Sequence, residues 1–146
     1  MSIKENKRIL QRYFDEVLNG HDYSHIDDIM VEDFNGRPAG GGTIGGKEAH
    51  KRYFEGIRAM CPDLRIETLE MVGEGDKVVA LSRWHYTHTG ADALGFPASG
   101  KGGTNEVMAM YTLKDGRLVG GKVLADSLAV FKAIGIVPAS WRIEAV

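Results

Sequence analysis

Cysteine is almost absent: Cys61 stands alone in 146 residues. No internal disulfide can form, and no cysteine-built metal cluster is available. No apolar run reaches the length of about 18 residues that a membrane-spanning helix needs, so no membrane partner is expected. Neither sign of charge dominates, with 18 Lys and Arg against 20 Asp and Glu for a formal net charge of −2. That balance gives no electrostatic case for nucleic acid or for an anionic membrane surface. The opening "MSIKENKRILQRYF" is charged throughout and lacks the apolar core of a secretory signal, which predicts a cytoplasmic protein. Histidines and acids show no "HExxH" or similar ligand spacing, so neither a metal nor another cofactor is expected. The glycines of "AGGGTIGG" are followed by no "GK[ST]" and preceded by no predicted strand, which excludes a phosphate loop.

What is present is an ordinary globular composition, 43% apolar and 26% charged, in a length that suits one domain over residues 1–146. Leu10, Phe14, Val17 and Leu18 recur at helical spacing between Lys4 and Leu18, and Asn19-Gly20 ends that helix. Ser24 to Asp27 resembles a capping box opening a short second helix with Ile26, Ile29 and Met30 on its apolar side. The stretch Asn35 to Gly46, "NGRPAGGGTIGG", has no periodicity and reads as a mobile flap or rim loop. Tyr53, Ile57 and Met60 mark a third helix from Lys47, which Pro62 forbids from continuing. Beyond Pro62 the apolar period becomes two: strands over "DLRIETLEMV", "KVVALSRWHYTHTG", "GTNEVMAMYTL" and "RLVGGKVLAD", with "EGD" and "KDG" as turns. A last helix runs from about Leu128 to Ile134, ahead of Gly135 and Pro138. Helices, then an antiparallel meander, then a closing helix make an α+β pattern. Long strands bend, and a bent sheet with helices on its concave side makes a cone with a hollow centre.

The stretches "NKRILQRYFDEVLNGHD", "IMVEDF", "CPDLRIETLEMVGEGDKVVALSRW", "THTG", "LGFPASGK" and "YTLKDGRLV" cover nearly the whole chain in order, from Asn6 to Gly135. Together they resemble the SnoaL-like polyketide cyclases, also called ester cyclases, of the nuclear-transport-factor-2-like superfamily. The resemblance implies a cone-shaped, curved antiparallel sheet wrapped around N-terminal helices, a central apolar pocket, a frequent homodimer and no metal. It also implies an intramolecular aldol closure served by an aspartate at the end of the strand after "DGR", where Asp126 stands. The superfamily also holds isomerases, dehydratases, epoxide hydrolases and members without a known reaction. The chain departs from the pattern where "DFNGR" replaces "DFVDH", so that Gly36 or Arg37 stands for a histidine. It departs again at Phe14, where tyrosine is common, and at Lys122, where tryptophan or histidine is common. The fold expectation survives these changes; a polyketide substrate does not follow.

Asp126 has two readings. It caps the last helix, a role worth about 1 kcal/mol against alanine. It is also placed to face an apolar pocket as the base that takes a proton next to a carbonyl, since partial burial disfavours the carboxylate. The two roles can coexist. Developing enolate charge needs a hydrogen-bond donor, and His88 is the candidate. Its bland alternative is a strand-end histidine bonded to a neighbouring loop. Ala80, Ser82, Trp84, Tyr86 and His88 share one strand face, which predicts Trp84 and Tyr86 as pocket walls; Phe14 and Met110 are further candidates for contact with substrate. Met108 and Met110 alternate on one face and read as core filling or as a pliable pocket wall. His85 is expected to be exposed, and His21, His25 and His50 read as surface residues. Lys122 shares a strand face with Asp126 but lies roughly 13 Å away along it, and reads as a solvated rim residue.

The chain is therefore expected to be a metal-free enzyme of the polyketide-cyclase type, acting on a small apolar carbonyl compound. A non-catalytic ligand-binding or dimerisation module on the same fold is the rival. An isomerase or hydratase is a third reading.

Overall fold

A computed structural model describes residues 2–141. Helix α1, Ile3–Arg12, starts at Ser2, whose hydroxyl accepts from the Glu5 N–H at 3.1 Å. It continues into a π-helical segment, Tyr13–Asn19, which brings Tyr13, Phe14, Val17 and Leu18 all into the core. The side-chain amide of Asn19 exchanges two hydrogen bonds with the backbone of Ile66, each 2.8 Å, and so fastens the helix end to the sheet. The short α2 spans Ile26–Ile29. Ser24 is not its cap: its backbone N–H instead donates to Asp22 at 2.9 Å, in an Asx turn that precedes the helix.

Strand β1, Met30–Arg37, replaces the first part of the predicted flap. Its burial alternates only from Phe34 onward, with Phe34 and Gly36 inward, so the sequence carries little period-two signal there. A two-residue strand β2, Ile44–Gly45, pairs back onto it, leaving residues 38–43 as the true loop. Helix α3, Lys47–Met60, then leads to β3 (Arg65–Glu74), β4 (Lys77–Thr87), β5 (Gly102–Lys114), β6 (Arg117–Ala125) and α4 (Ser127–Ala133).

The sheet order is β2-β1-β6-β5-β4-β3. All neighbours are antiparallel except β1 and β6, which run parallel. The sheet is thus mixed and unclosed rather than purely antiparallel, because β1 arrives before α3 and fits beside the last strand. Register shifts at Thr68/Glu70, Thr112/Leu113 and within β1 supply the local kinks that curve it. The N-terminal helices fill its concave side with Leu10, Tyr13 and Ile29 against Val78, Tyr111 and Leu118. A second cluster, Leu64, Tyr86, Ala93 and Ile134, lies towards α4, and Trp84 packs against both.

The quoted motifs have physical causes. Asp63 accepts from the Thr87 N–H and hydroxyl, both at 2.8 Å, and so ties the "PDL" turn to "THTG". A Cβ at Gly90 would lie 1.9 Å from the Ala59 carbonyl oxygen, so only glycine lets that strand end dock on α3.

Candidate functional site

A cavity of about 420 Å³ opens between the concave sheet face, α3 and α4. Its walls are mainly apolar: Phe54 and Ile57 from α3, Trp84 from β4, Val107 from β5, Val123 from β6 and Phe131 from α4. Helical spacing on α3 puts His50, Tyr53, Phe54 and Ile57 on the stripe that faces it. A Cβ at Gly121 would come within 2.8 Å of the Tyr111 ring, so glycine there leaves that ring room beside the cavity. The loop of Pro38, Ala39 and Gly40 forms part of the rim, as does Leu94.

Polar groups in this wall are few. Tyr86 is buried, and its hydroxyl has no partner among the described residues. Burial, with the nearby Cys61 and Asp126 charges, pushes its pKa up to about 12, so it stays a donor. His88 is buried and its Nε2 meets the Ala91 carbonyl oxygen at 2.7 Å. A carbonyl can only accept, so Nε2 carries the proton and Nδ1 of the neutral ring is an acceptor. His88 would donate into the cavity only as a protonated ring. Asn105 lines the same space. Cys61 does too, and burial together with Asp63 raises its thiol pKa.

His50 is not a surface residue. It is 8% exposed, lines the cavity, and hydrogen-bonds through Nε2 to the Tyr13 hydroxyl. Burial alone pulls its pKa down to about 4, so the ring is neutral near neutral pH. A signal for both residues was in the sequence: Tyr13 lies three positions after Leu10, and His50 three before Tyr53, each on an apolar helical stripe.

Trp84, Tyr86 and His88 come together in the cavity wall. Phe14 is in the core beside Tyr13 and Tyr111, and does not line the cavity. Met110 is 42% exposed on the outer sheet face with Met108, while Ala109 and Tyr111 point inward. The methionines therefore neither fill the core nor wall the pocket. Asp126 is exposed and caps α4, accepting the Ala129 N–H at 3.0 Å through Oδ1. Its neighbours Ala125 and Ser127 line the cavity, whereas Asp126 itself does not. Lys122 is exposed, as expected, and His85 is half-buried against Glu67 at 2.9 Å. Among the described residues no three His, Cys, Asp or Glu side chains gather as metal ligands, and no helix is long and apolar enough to cross a membrane.

Residues 10–120 match the family model described as the SnoaL-like domain. No curated protein matches the sequence. A candidate SnoaL-like polyketide cyclase from Jannaschia sp. CCS1 is 25% identical, with a TM-score of 0.82 over 94% of this chain and 98% of that one. TsrD from Streptomyces laurentii is 19% identical, with a TM-score of 0.81 over 94% and 99% of the two chains. An NTF2-like protein of unknown function from Burkholderia pseudomallei K96243 is 17% identical, with a TM-score of 0.74 over 92% and 98%.

Proposed function

Because the chain belongs to the SnoaL-like domain family, we propose that its cavity takes up a small, mainly apolar carbonyl compound and serves metal-free acid/base chemistry of the cyclase type. One observation carries this reading: an apolar space of about 420 Å³ is lined by Tyr86, whose buried hydroxyl has no partner among the described residues. A site that is apolar except for a few placed polar groups selects an apolar skeleton bearing a carbonyl oxygen. In the proposed step Asp126, set between the cavity-lining Ala125 and Ser127, takes the proton from the carbon next to the carbonyl. The electron pair of that C–H bond moves into the enolate, whose oxygen Tyr86 stabilises by donation. Oδ1 of Asp126 caps α4, while Oδ2 has no hydrogen-bond partner among the described residues. Trp84 and Tyr86 wall the bound compound, and His88 stands beside it.

A second reading, a binding module without turnover, is favoured by the exposure of Asp126 and its use as a helix cap. The ketone 2-tetralone in D₂O separates the two. Enolisation in the cavity exchanges its α-protons for deuterium faster than buffer does, seen by NMR. Binding without exchange supports the module, and a ketone that never enters the cavity removes both readings. The same fold class supports a homodimer through the outer sheet face, where apolar side chains stand uncovered.

A further inference from the structure

Tyr13 and His50 leave one buried proton without a partner, on a residue of the cavity wall. Tyr13 is fully buried, and burial holds its hydroxyl pKa well above the ordinary 10, so the oxygen keeps its proton. The one hydrogen-bond partner of that hydroxyl among the described residues is His50 Nε2. The other ring nitrogen, Nδ1, is buried with no partner among the described residues. If Nε2–H donated to Tyr13, the tyrosine O–H and the Nδ1 lone pair would both be left unsatisfied. If Tyr13 donates to Nε2, only one group is orphaned, the N–H at Nδ1. The second arrangement is therefore preferred. The ring is neutral near neutral pH, so its single proton sits on Nδ1.

The direction of that proton follows from the neighbours. Phe34 and Phe54 hold the ring edge-on at 4.8 and 5.0 Å between centroids. A Cβ built on Gly36 would lie 3.5 Å from Nδ1, and Gly36 itself lines the cavity. Glycine thus keeps the space beside the buried Nδ1 free of a side chain of its own.

We propose that His50 is a ligand-binding residue of the cavity, fixed by Tyr13 as its Nδ1–H tautomer so that a neutral imidazole donates to an acceptor oxygen of the bound compound. Tyr13 is the positioning residue in this arrangement. The proposal rests on the cavity being a ligand site, and adds to Tyr86 a second donor, on the side of the cavity nearest Gly36. It selects compounds with an acceptor oxygen at that end and disfavours bare hydrocarbon there, since an unpaired buried N–H is costly.

Two measurements test it. Without ligand, ¹⁵N NMR of the histidine ring should show His50 protonated at Nδ1, and Tyr13→Phe should let the Nε2–H tautomer appear. An Nε2–H tautomer in the unaltered protein overturns the proposal and leaves the cavity reading standing. With ligand, 2-tetralone is compared with tetralin, which has the same carbon skeleton and no oxygen. The ratio of their affinities should favour the ketone and fall about tenfold in His50→Phe, the loss expected for one buried hydrogen bond. Gly36→Ala keeps the Tyr13–His50 pair but puts a methyl beside Nδ1, and should lower the ratio in the same direction. An unchanged ratio in both variants overturns the role of His50 alone. If neither compound enters the cavity, the cavity reading falls and this proposal with it.

Discussion

Asparagine caps a helix about as well as aspartate does, because its side-chain oxygen accepts the same backbone N–H. It cannot serve as a base near neutral pH. Asp126→Asn should therefore keep the bond to the Ala129 N–H and leave stability within about 0.5 kcal/mol, while abolishing catalysed α-proton exchange of 2-tetralone. Asp126→Ala should lose the cap as well, at about 1 kcal/mol in urea unfolding. Full exchange by the Asn variant would remove Asp126 from the mechanism. His50 gives a second prediction, with a definite sign. Its ordinary value is 6.5 and its folded value about 4, so below pH 6.5 the unfolded chain takes up a proton that the native ring refuses. Stability contributed by the neutral ring is present above 6.5 and lost as pH falls towards 4, on the order of 3 kcal/mol in full. Urea midpoints should drop across that window, and His50→Phe should flatten the drop. An unchanged slope would mean that the ring is already charged, or solvated, in the native state.

Among elements, the rim loop carries the clearest dynamic expectation. Gly40, Gly41 and Gly42 hold φ values of 91°, 99° and 82°, and a Cβ on any of them would meet nothing within 4 Å. Ordering three such residues costs much conformational entropy and is repaid by few contacts. Amide exchange should be fast over residues 39–43 and slow at Asn35 and Gly36, which pair with Gly45 and Ile44. Uniform protection across 35–46 would show the loop packed. The sequence made most elements legible because their periodicities were clean: α3 and the four strands β3 to β6 fall within two or three residues of their expected bounds. It hid β1, because Met30 to Asp33 lack alternation and the glycines that follow look like loop. It also hid the parallel pairing of β1 with β6, a long-range consequence of strand order rather than of local pattern. Within the site, the strand face of Trp84, Tyr86 and His88 was legible from period two. The inward turn of His50 is not legible there, because histidine, unlike the apolar residues on the same stripe, is as often solvated as buried.

At the scale of the molecule, the outer sheet face is the feature that a lone protomer leaves unexplained. Cross-strand register sets Val72, Val79, Met110 and Lys122 in one row, and Glu70, Leu81, Met108 and Leu124 in the next. Val72, Met108, Met110 and Leu124 are 60, 50, 42 and 64% exposed, although their neighbours in chain order point into the core. A band of charge adjoins these rows, Glu67, Arg83 and Glu106, with Arg83 reaching Glu106 at 3.4 Å. An apolar centre with a polar rim is the anatomy of a protein interface, and the four helices cover only the other face. Two copies packed through this face should sediment at about twice the protomer mass of 16.0 kDa at micromolar concentration. Met108→Lys combined with Leu124→Glu places charges where the partner would sit but where a single protomer is solvated. The double variant should therefore sediment as a monomer while its secondary structure is kept, since both positions are exposed within one chain. The cavity lies on the opposite face of the sheet, so 2-tetralone binding should persist in that monomer. Unaltered protein that sediments as a monomer at high concentration would rule the interface out, and the methionine rows would then have no structural account.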